Sequence, residues 1–158
     1  MLMLAAIILL TAADQITKLL TIKLIKPQGN IEILKNFLDF SYVENRGAAF
    51  GIMQNSRWIF IAITLIVSAG IIYILFFKKN ESRIFKISLI LILSGALGNL
   101  IDRIFRGYVV DMIEVTFINY PVFNFADCCV VIGAILLCIY ILFVYKEPEK
   151  ETKNNEQI

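Results

Sequence analysis

Two aspartates in the C-terminal half of the chain have the residue type and the setting for acid–base catalysis. Asp111 follows two valines, and Asp127 ends the sequence Phe-Asn-Phe-Ala-Asp at the start of a long apolar run. When two carboxylates share a desolvated site, their like charges keep one of them protonated. One carboxylate can then activate water as a base while the other protonates a carbonyl oxygen. This division of roles is the chemistry of aspartyl peptidases.

The same residues also have purely structural explanations. Asn124 and Asp127 stand three apart at a predicted helix start, where Asn124 would be the N-cap and Asp127 would favour the positive end of the helix dipole. Asp111 would then be a solvated loop residue, and Glu114 is a rival carboxylate close by. Spacing alone favours these explanations, so the residues by themselves leave the choice of pair open.

Two further polar groups lie within apolar runs. Asn99, Asp102 and Arg103 fall at i, i+3 and i+4, which is one face of a helix. Several ionisable residues at the end of a membrane span indicate function. The structural alternative is that Asp102 pairs with Arg103 or Arg106 while Asn99 holds helices together.

Asp14 and Lys18 stand four apart near the N-terminus, which favours an ion pair within one helix. We expect Lys18 to extend outward along the helix while Asp14 orders polar groups nearby. Met1 to Asp14 spans about 20 Å of helix, which places Asp14 in the outer half of the membrane. Asp14 would therefore lie on the same side as Asp111 and Asp127.

Composition excludes several kinds of site. The chain has no histidine, which removes Ser/His/Asp and Cys/His catalysis and histidine-based zinc sites. Cys128, Cys129 and Cys138 lie in or beside one apolar run and form no CxxC pair, so they are interpreted as small apolar residues. A net charge of +2 without a basic stripe argues against nucleic acid. We therefore expect no metal, no cofactor and no nucleic-acid partner.

The apolar pattern predicts a membrane protein. The chain is 59% hydrophobic and only 18% charged, unlike a soluble domain. Each of four segments supplies roughly 20 apolar residues, enough to cross a bilayer. The predicted organisation is a single membrane-embedded domain at 1–146 followed by a charged cytoplasmic tail at 147–158, with spans at about 1–22, 58–77, 84–105 and 125–145.

The segment at about 23–57 and the connection after the third span have a different pattern. Ile31 and Ile33 alternate with a glutamate, residues 38–42 alternate apolar with polar, and residues 107–117 contain two β-branched pairs. Such alternation is typical of strands. The predicted fold class is therefore a mainly α membrane protein, with four transmembrane helices and a small extracytoplasmic β-sheet and loop subdomain.

Charge sets the predicted orientation. Lys78, Lys79, Arg83 and Lys86 stand within nine residues between the second and third spans. A dense basic loop favours the cytoplasmic side, so both termini should be cytoplasmic. The aspartates would then face the extracytoplasmic side of the membrane.

Five sequence blocks in order resemble the signal peptidase II family, and the resemblance covers nearly the whole chain. They are Asp14–Lys18, Asn45–Gly51, Gly95–Arg103, Val109–Asp111 and Phe123–Asp127. Two departures are mild, since Met112 stands where an aromatic residue is expected and Ser94 where a glycine is expected. Neither position carries charge chemistry.

The resemblance implies an aspartyl endopeptidase of the bacterial cytoplasmic membrane, with Asp111 and Asp127 as its catalytic dyad. It implies a prolipoprotein substrate that carries diacylglycerol on its lipobox cysteine and is cleaved on the N-terminal side of that cysteine. Membrane lipids would surround a monomer, and Phe50 or Trp58 would anchor the substrate at headgroup depth. The residues implied to bind substrate or support the site are Asn45, Gly47, Asn99, Arg103, Asn124, Asp14, Lys18 and Asp102.

Rival classes remain for comparison. A small ion- or proton-coupled transporter would use Asp14, Asp102, Asp111 and Asp127 as a relay, but four spans without a repeat give no alternating-access pair. A serine protease based on Ser94 lacks a histidine and a Gly-x-Ser-Gly sequence. A structural or chaperone subunit would tolerate loss of the aspartates.

Overall fold

Four helices long and apolar enough to cross a membrane form the body of the protein. The computed structural model describes residues 1–47, 53–78 and 82–145. One such helix lies at each of the four predicted spans, and only the first differs by more than one residue at an end, running to Ile25 rather than 22. Helix α1 is Leu2–Leu20 with a π-helical turn at Thr21–Ile25, α2 is Arg57–Phe77, α3 is Arg83–Phe105, and α4 is Phe125–Ile139 with a π-helical turn at Tyr140–Val144.

The helices turn apolar side chains outward as well as inward. Ile66 on α2 and Leu142 beyond α4 are each more than 70% exposed. Exposure of these apolar side chains to water would be energetically costly, but in a bilayer they face lipid. The helices satisfy their backbone polar groups internally, as a membrane requires. The inward apolar cluster lies toward one end of the bundle and consists of Ile7, Ile71, Leu75, Leu89 and Leu93.

Glycines allow α3 and α4 to pack closely. A Cβ on Gly133 would lie 2.8 Å from the carbonyl oxygen of Ser88, and a Cβ on Gly95 would overlap the carbonyl oxygen of Ala126. Small residues are the usual means of close helix contact in membranes. A Cβ on Gly98 would overlap the carboxylate of Asp14, so this glycine leaves the space that the Asp14 side chain occupies.

A three-stranded antiparallel sheet covers the end of the bundle opposite the apolar cluster, which is called the sheet end below. Its strands are β1 (Ile31–Leu34), β2 (Leu38–Asn45) and β3 (Val109–Val115), in the order β1-β2-β3. Asn45 on β2 pairs with Val109 on β3, and Val43 pairs with Asp111. All three predicted strands are thus confirmed. Because Asp111 lies on β3, the sheet places it at the sheet end of the helices.

Some sequence predictions fall on residues that the structure does not describe. The tail at 147–158, Phe50 and Lys79 lie outside the described residues. The division into a domain at 1–146 and a cytoplasmic tail stays a prediction.

Candidate active site

Asp111 is a buried residue on a central position of β3. Its exposed fraction is 1%, so the interpretation as a solvated loop residue is wrong. The Asn45 amide donates to Asp111 Oδ2 over 2.9 Å, and the Asn124 amide donates to Asp111 Oδ1 over 2.6 Å. A buried carboxyl group needs such donors, because removal from water without partners is costly.

Asp127 lies in the first turn of α4, where it closes a capping box with Asn124. The Asn124 Oδ1 accepts from the backbone nitrogen of Asp127 over 2.9 Å, and Asp127 Oδ2 accepts from the backbone nitrogen of Asn124 over 3.1 Å. The structural explanation of these two residues is therefore correct. It does not compete with a role in the site, because the Asn99 amide also donates to Asp127 Oδ1 over 2.8 Å.

Asn124 joins the two carboxylates into one hydrogen-bonded unit. Its side chain is fully buried, and its amide nitrogen reaches both Asp111 and the Asn99 Oδ1, the latter over 3.2 Å. Helix capping uses only its oxygen, which leaves the nitrogen free to donate toward the site. One residue thus fixes the start of α4 and the relative position of Asp111 and Asp127.

Burial and nearby charges change the pKa of the Asp111 carboxyl group. Burial, and after it the neighbouring Asp127 charge, raises the pKa of Asp111 to about 7. The hydrogen bonds from Asn45 and Asn124 and the charge of Lys18 act in the opposite direction but do not cancel the effect of burial. Asp111 therefore retains a proton far above the pH at which an ordinary aspartate ionises, as the acid of such a pair must.

Both carboxylates line one cavity of about 390 Å³ at the sheet end. Arg103 stands in its wall, where its guanidinium donates to the Gly47 carbonyl oxygen over 3.4 Å and lies 5.0 Å from the centre of the Phe60 ring. The cavity combines a few polar groups with an apolar wall, as binding sites for small or extended ligands do. The lining residues are Asn45, Gly47, Thr64, Ala96, Asn99, Arg103, Val109, Asp111, Tyr120, Pro121, Val122, Phe123, Asp127, Val130 and Val131.

Lys18 does not extend outward along the helix, so that expectation is wrong. The side chain is fully buried, and its ammonium lies 2.9 Å from Asp14 Oδ2 and 3.2 Å from Asp102 Oδ2. The predicted Asp14–Lys18 ion pair is present. The reason for the inward direction is that Asp102 on α3 offers a second carboxylate and Asn99 offers an amide oxygen at 2.8 Å, so burial leaves no donor of the ammonium unpaired.

Asp102 pairs with Arg106 as well as with Lys18, and the alternative partner Arg103 points to the cavity instead. The chain thus places Asp102 and Arg103, neighbours in sequence, in two different environments. Gln15, which the sequence pattern did not single out, also donates to Asp102 Oδ1 over 3.4 Å and to the Gly98 carbonyl oxygen over 3.0 Å.

Glu114 and Ser94 stay outside the site. Glu114 is three residues from Asp111 on β3, and odd separations along a strand place side chains on opposite faces. Its carboxylate accepts from Asn30 over 3.4 Å at the exposed side of the sheet. Ser94 is buried and donates to the Ile90 carbonyl oxygen over 2.7 Å, and neither residue lines the cavity.

The cavity wall also contains residues 120–122 and Thr64 of α2, which no sequence pattern indicated. Residues 120–122 are apolar or aromatic and carry no charge, so their pattern matches an ordinary connection between a strand and a helix. Val122 and Phe123 reach the site because Phe123 pairs with Ile113 of β3. Only the pairing, which is not encoded in local spacing, reveals their position.

Comparisons with known proteins agree on one family. A sequence model described as signal peptidase (SPase) II matches residues 6–143. A lipoprotein signal peptidase from Clostridium novyi is 48% identical over 132 residues, covering 82% of this chain and 89% of the relative. One from Clostridioides difficile is 46% identical over 144 residues, covering 90% of this chain and 96% of the relative.

The fold has a counterpart among solved structures. A bacterial membrane enzyme determined by the in meso method at 2.3 Å resolution matches with a TM-score of 0.84 and 31% identity. The match covers 96% of this chain and 94% of the other. The comparisons give no support to a transporter. With its four spans and with a family match across nearly all of its length, the chain belongs to the signal peptidase II family of aspartic peptidases.

Proposed function

We propose that Asp111 and Asp127 are the catalytic dyad with which this signal peptidase II removes signal peptides from prolipoproteins. The observation that carries the proposal is their environment. A buried carboxyl group whose pKa lies near 7 and a second, hydrogen-bonded carboxylate line the same cavity at the sheet end of the bundle. Pairs of titratable groups with such different environments identify acid and base.

The roles follow from the hydrogen bonds. Asp127 accepts hydrogen bonds from the Asn99 amide and from the backbone nitrogen of Asn124, an arrangement suited to a carboxylate, and we assign it the role of base. It takes a proton from a water molecule whose oxygen attacks the peptide carbonyl carbon, and Asp111 gives its proton to the carbonyl oxygen. When the carbon–nitrogen bond breaks, Asp127 returns its proton to the leaving amine and Asp111 regains one from the new carboxyl group.

Neighbouring groups would hold the substrate backbone and the acid. Arg103 offers a cation on the cavity wall, and its contact with the Gly47 carbonyl oxygen connects the wall to the segment after β2. Asn45 holds Asp111 and also accepts from the Gly47 backbone nitrogen over 3.0 Å. In this proposal Asp14, Lys18 and Asp102 support the site without touching substrate.

The substrate proposed is a prolipoprotein whose lipobox cysteine already carries diacylglycerol, with cleavage on the N-terminal side of that cysteine. The cavity is bounded by α2, α3 and α4, whose outer faces carry exposed apolar side chains. Acyl chains can therefore stay in lipid while the peptide bond reaches the dyad. Trp58, at the start of α2 and 72% exposed, is a candidate anchor at headgroup depth.

We further propose that the sheet end faces the extracytoplasmic side of the bacterial cytoplasmic membrane, with both termini cytoplasmic and the chain acting as a monomer among membrane lipids. Single cysteines at 30, 80 and 119, in a background without native cysteines, report this orientation. An impermeant reagent should label positions 30 and 119 from outside intact cells but not position 80. Labelling of position 80 would reverse the assignment.

The dyad is tested with purified protein in detergent and a lipidated precursor. Asp111→Asn and Asp127→Asn should each reduce turnover by about 10²-fold or more, because each removes a general acid or base. Glu114→Gln is the matched control, since Glu114 lies on the same strand but outside the cavity, and it should retain activity. Comparable turnover in either asparagine variant would exclude this mechanism.

Lipid dependence is tested with one precursor in lipidated and unlipidated forms. The unlipidated form has only its signal helix to set depth in the membrane, and a misplacement of about 1 Å can cost on the order of 10²-fold in rate. We expect efficient cleavage of the lipidated form alone. Equal rates would show that the acyl chains do not position the scissile bond.

A further inference from the structure

We propose that Lys18, which does not line the cavity, is a positioning residue that fixes the Asn99 side chain so that its amide nitrogen always faces Asp127. The inference rests on the proposed dyad. Lys18 on α1 would thereby determine which of the two aspartates acts as the base, although it touches neither substrate nor carboxylate of the pair.

The orientation of Asn99 follows from the donor groups around it. An ammonium has three N–H donors and no acceptor. Lys18 uses them on Asp14 Oδ2, on Asp102 Oδ2 and on the Asn99 oxygen, which lies 2.8 Å away. The Asn124 amide also donates to that oxygen. A flipped Asn99 would set its NH₂ against two donors, so only one orientation satisfies the site.

The fixed orientation has a chemical consequence at Asp127. With its oxygen held by Lys18, Asn99 presents its nitrogen to Asp127 Oδ1 at 2.8 Å. A donor at this position stabilises the carboxylate, whereas an amide oxygen would repel it. Together with the backbone donor from Asn124 at the other oxygen, it holds the Asp127 carboxylate in place for its proposed role as base.

The charged and titratable groups that act on Asp127 come from each element packed around it. Arg103 on α3 acts as a cation, Asp111 on β3 acts as a like charge, and Cys128 follows on α4 itself. From α1, Lys18 acts through Asn99. Within the part of the chain that the structure describes, α2 adds only the neutral Thr64 to the cavity wall. Removing the Lys18 donor therefore changes one contact of Asp127 and leaves the others in place.

Lys18 also bridges the two carboxylates that hold the backbone beside each member of the dyad. Asp14 Oδ1 accepts from the backbone nitrogen of Ala126 over 3.0 Å, one residue before Asp127. Asp102 Oδ2 accepts from the backbone nitrogen of Val110 over 3.0 Å, one residue before Asp111. A purely structural role would rest on these contacts alone, so the test must separate them from the contact with Asn99.

To separate the carboxylate contacts of Lys18 from its contact with Asn99, we combine Lys18→Met with Asp14→Asn. The control is Asp14→Asn alone. In the native cluster two carboxylates face two cations, Lys18 and Arg106. The double variant keeps this balance, with Asp102 and Arg106 remaining, and an asparagine at position 14 still offers an oxygen to Ala126. The two proteins differ only at position 18. The double variant leaves no unpaired buried charge, and Lys18 of the control keeps Asp102 as its partner.

The readout is the pH dependence of cleavage of the lipidated precursor. The acidic limb of the profile of kcat should move to higher pH by about one unit in the double variant but not in the control, because a hydrogen bond to the carboxylate is lost. KM should not change, since Lys18 lies outside the cavity. Asn99→Leu, which deletes the amide and keeps both ion pairs of Lys18, should move the same limb. An unmoved limb in the double variant overturns the proposal, whatever Asn99→Leu shows.

A second measurement does not require peptidase activity. In an Asp111→Asn background, infrared difference spectra recorded against pH follow the protonated carboxyl band of Asp127, assigned by its loss in Asp127→Asn. That band should persist to higher pH when Lys18 is replaced, and its persistence to the same pH as in the control overturns the proposal. Failure of the native protein to cleave the precursor would instead overturn the proposed function, and the infrared result would stand independently.

Discussion

Replacing Asp111 by asparagine should stabilise the protein at neutral and alkaline pH while it abolishes turnover. Burial raises the pKa of Asp111 from 3.8 to about 7. Between these two values the folded protein retains a proton that the unfolded chain has released. The free energy of unfolding therefore falls as pH rises from about 4 to about 7.

The size of the effect follows from the shift. A difference of about three pH units corresponds to about 4 kcal/mol, since each unit is worth about 1.4 kcal/mol. Asparagine does not ionise, so the variant avoids this cost above neutral pH. The substitution also lowers the free energy of unfolding by about 1 kcal/mol at every pH. Asn45 and Asn124 both donate to Asp111, and one of them would face the amide nitrogen of the new asparagine instead of an oxygen.

The assay is the free energy of unfolding in detergent, measured for the native protein and for Asp111→Asn across this pH range. The difference between them should grow in favour of the variant as pH rises and then level off above about pH 7. Glu114→Gln is the control, and it should show no such growth. A difference that stays constant with pH would refute the conclusion that burial of Asp111 carries an energetic cost.

Three more outcomes are expected. Asn45→Ala removes a hydrogen-bond donor from Asp111, so the alkaline limb of the pH–rate profile should move to higher pH by roughly one unit. Measurement of kcat/KM against pH checks this, and a move to lower pH would contradict it. Gly95→Leu should abolish activity and lower stability by about 1–3 kcal/mol or more, because its side chain would enter the backbone of Ala126; thermal unfolding in detergent measures the loss. Chelators should leave turnover unchanged, since the described residues hold no cluster of metal-ligating side chains, and inhibition that zinc reverses would contradict the mechanism.

The spans and strands could be predicted because each depends on a local pattern. Apolar length fixed the helices to within a few residues, and alternation located the strands. The same local reasoning correctly gave Asn124 as an N-cap, because capping depends on neighbours in sequence.

The site could be predicted only in part from local patterns, because its chemistry depends on contacts between distant segments. The direction of Lys18 depends on Asp102, which is 84 positions away, and the burial of Asp111 depends on its pairing with β2. Periodicity carries no information on either contact. The resemblance to a family supplied the residue set, and the structure added the hydrogen bonds that give each residue a distinct environment.

The buried ion cluster also bears on how the chain enters the membrane during synthesis. Asp14 and Lys18 stand at i, i+4 on α1, and Asp102 stands at i, i+4 with Arg106, the residue that ends α3. Each of the two carboxylates therefore has an opposite charge one turn away on its own helix before the partner helix has been made, which lowers the cost of an isolated carboxylate in a bilayer. When α3 then docks on α1, Lys18 gains Asp102 without any change in the net charge of either helix. The charges that organise the site are thus arranged so that insertion of α1 need not wait for a helix that the ribosome produces two spans later.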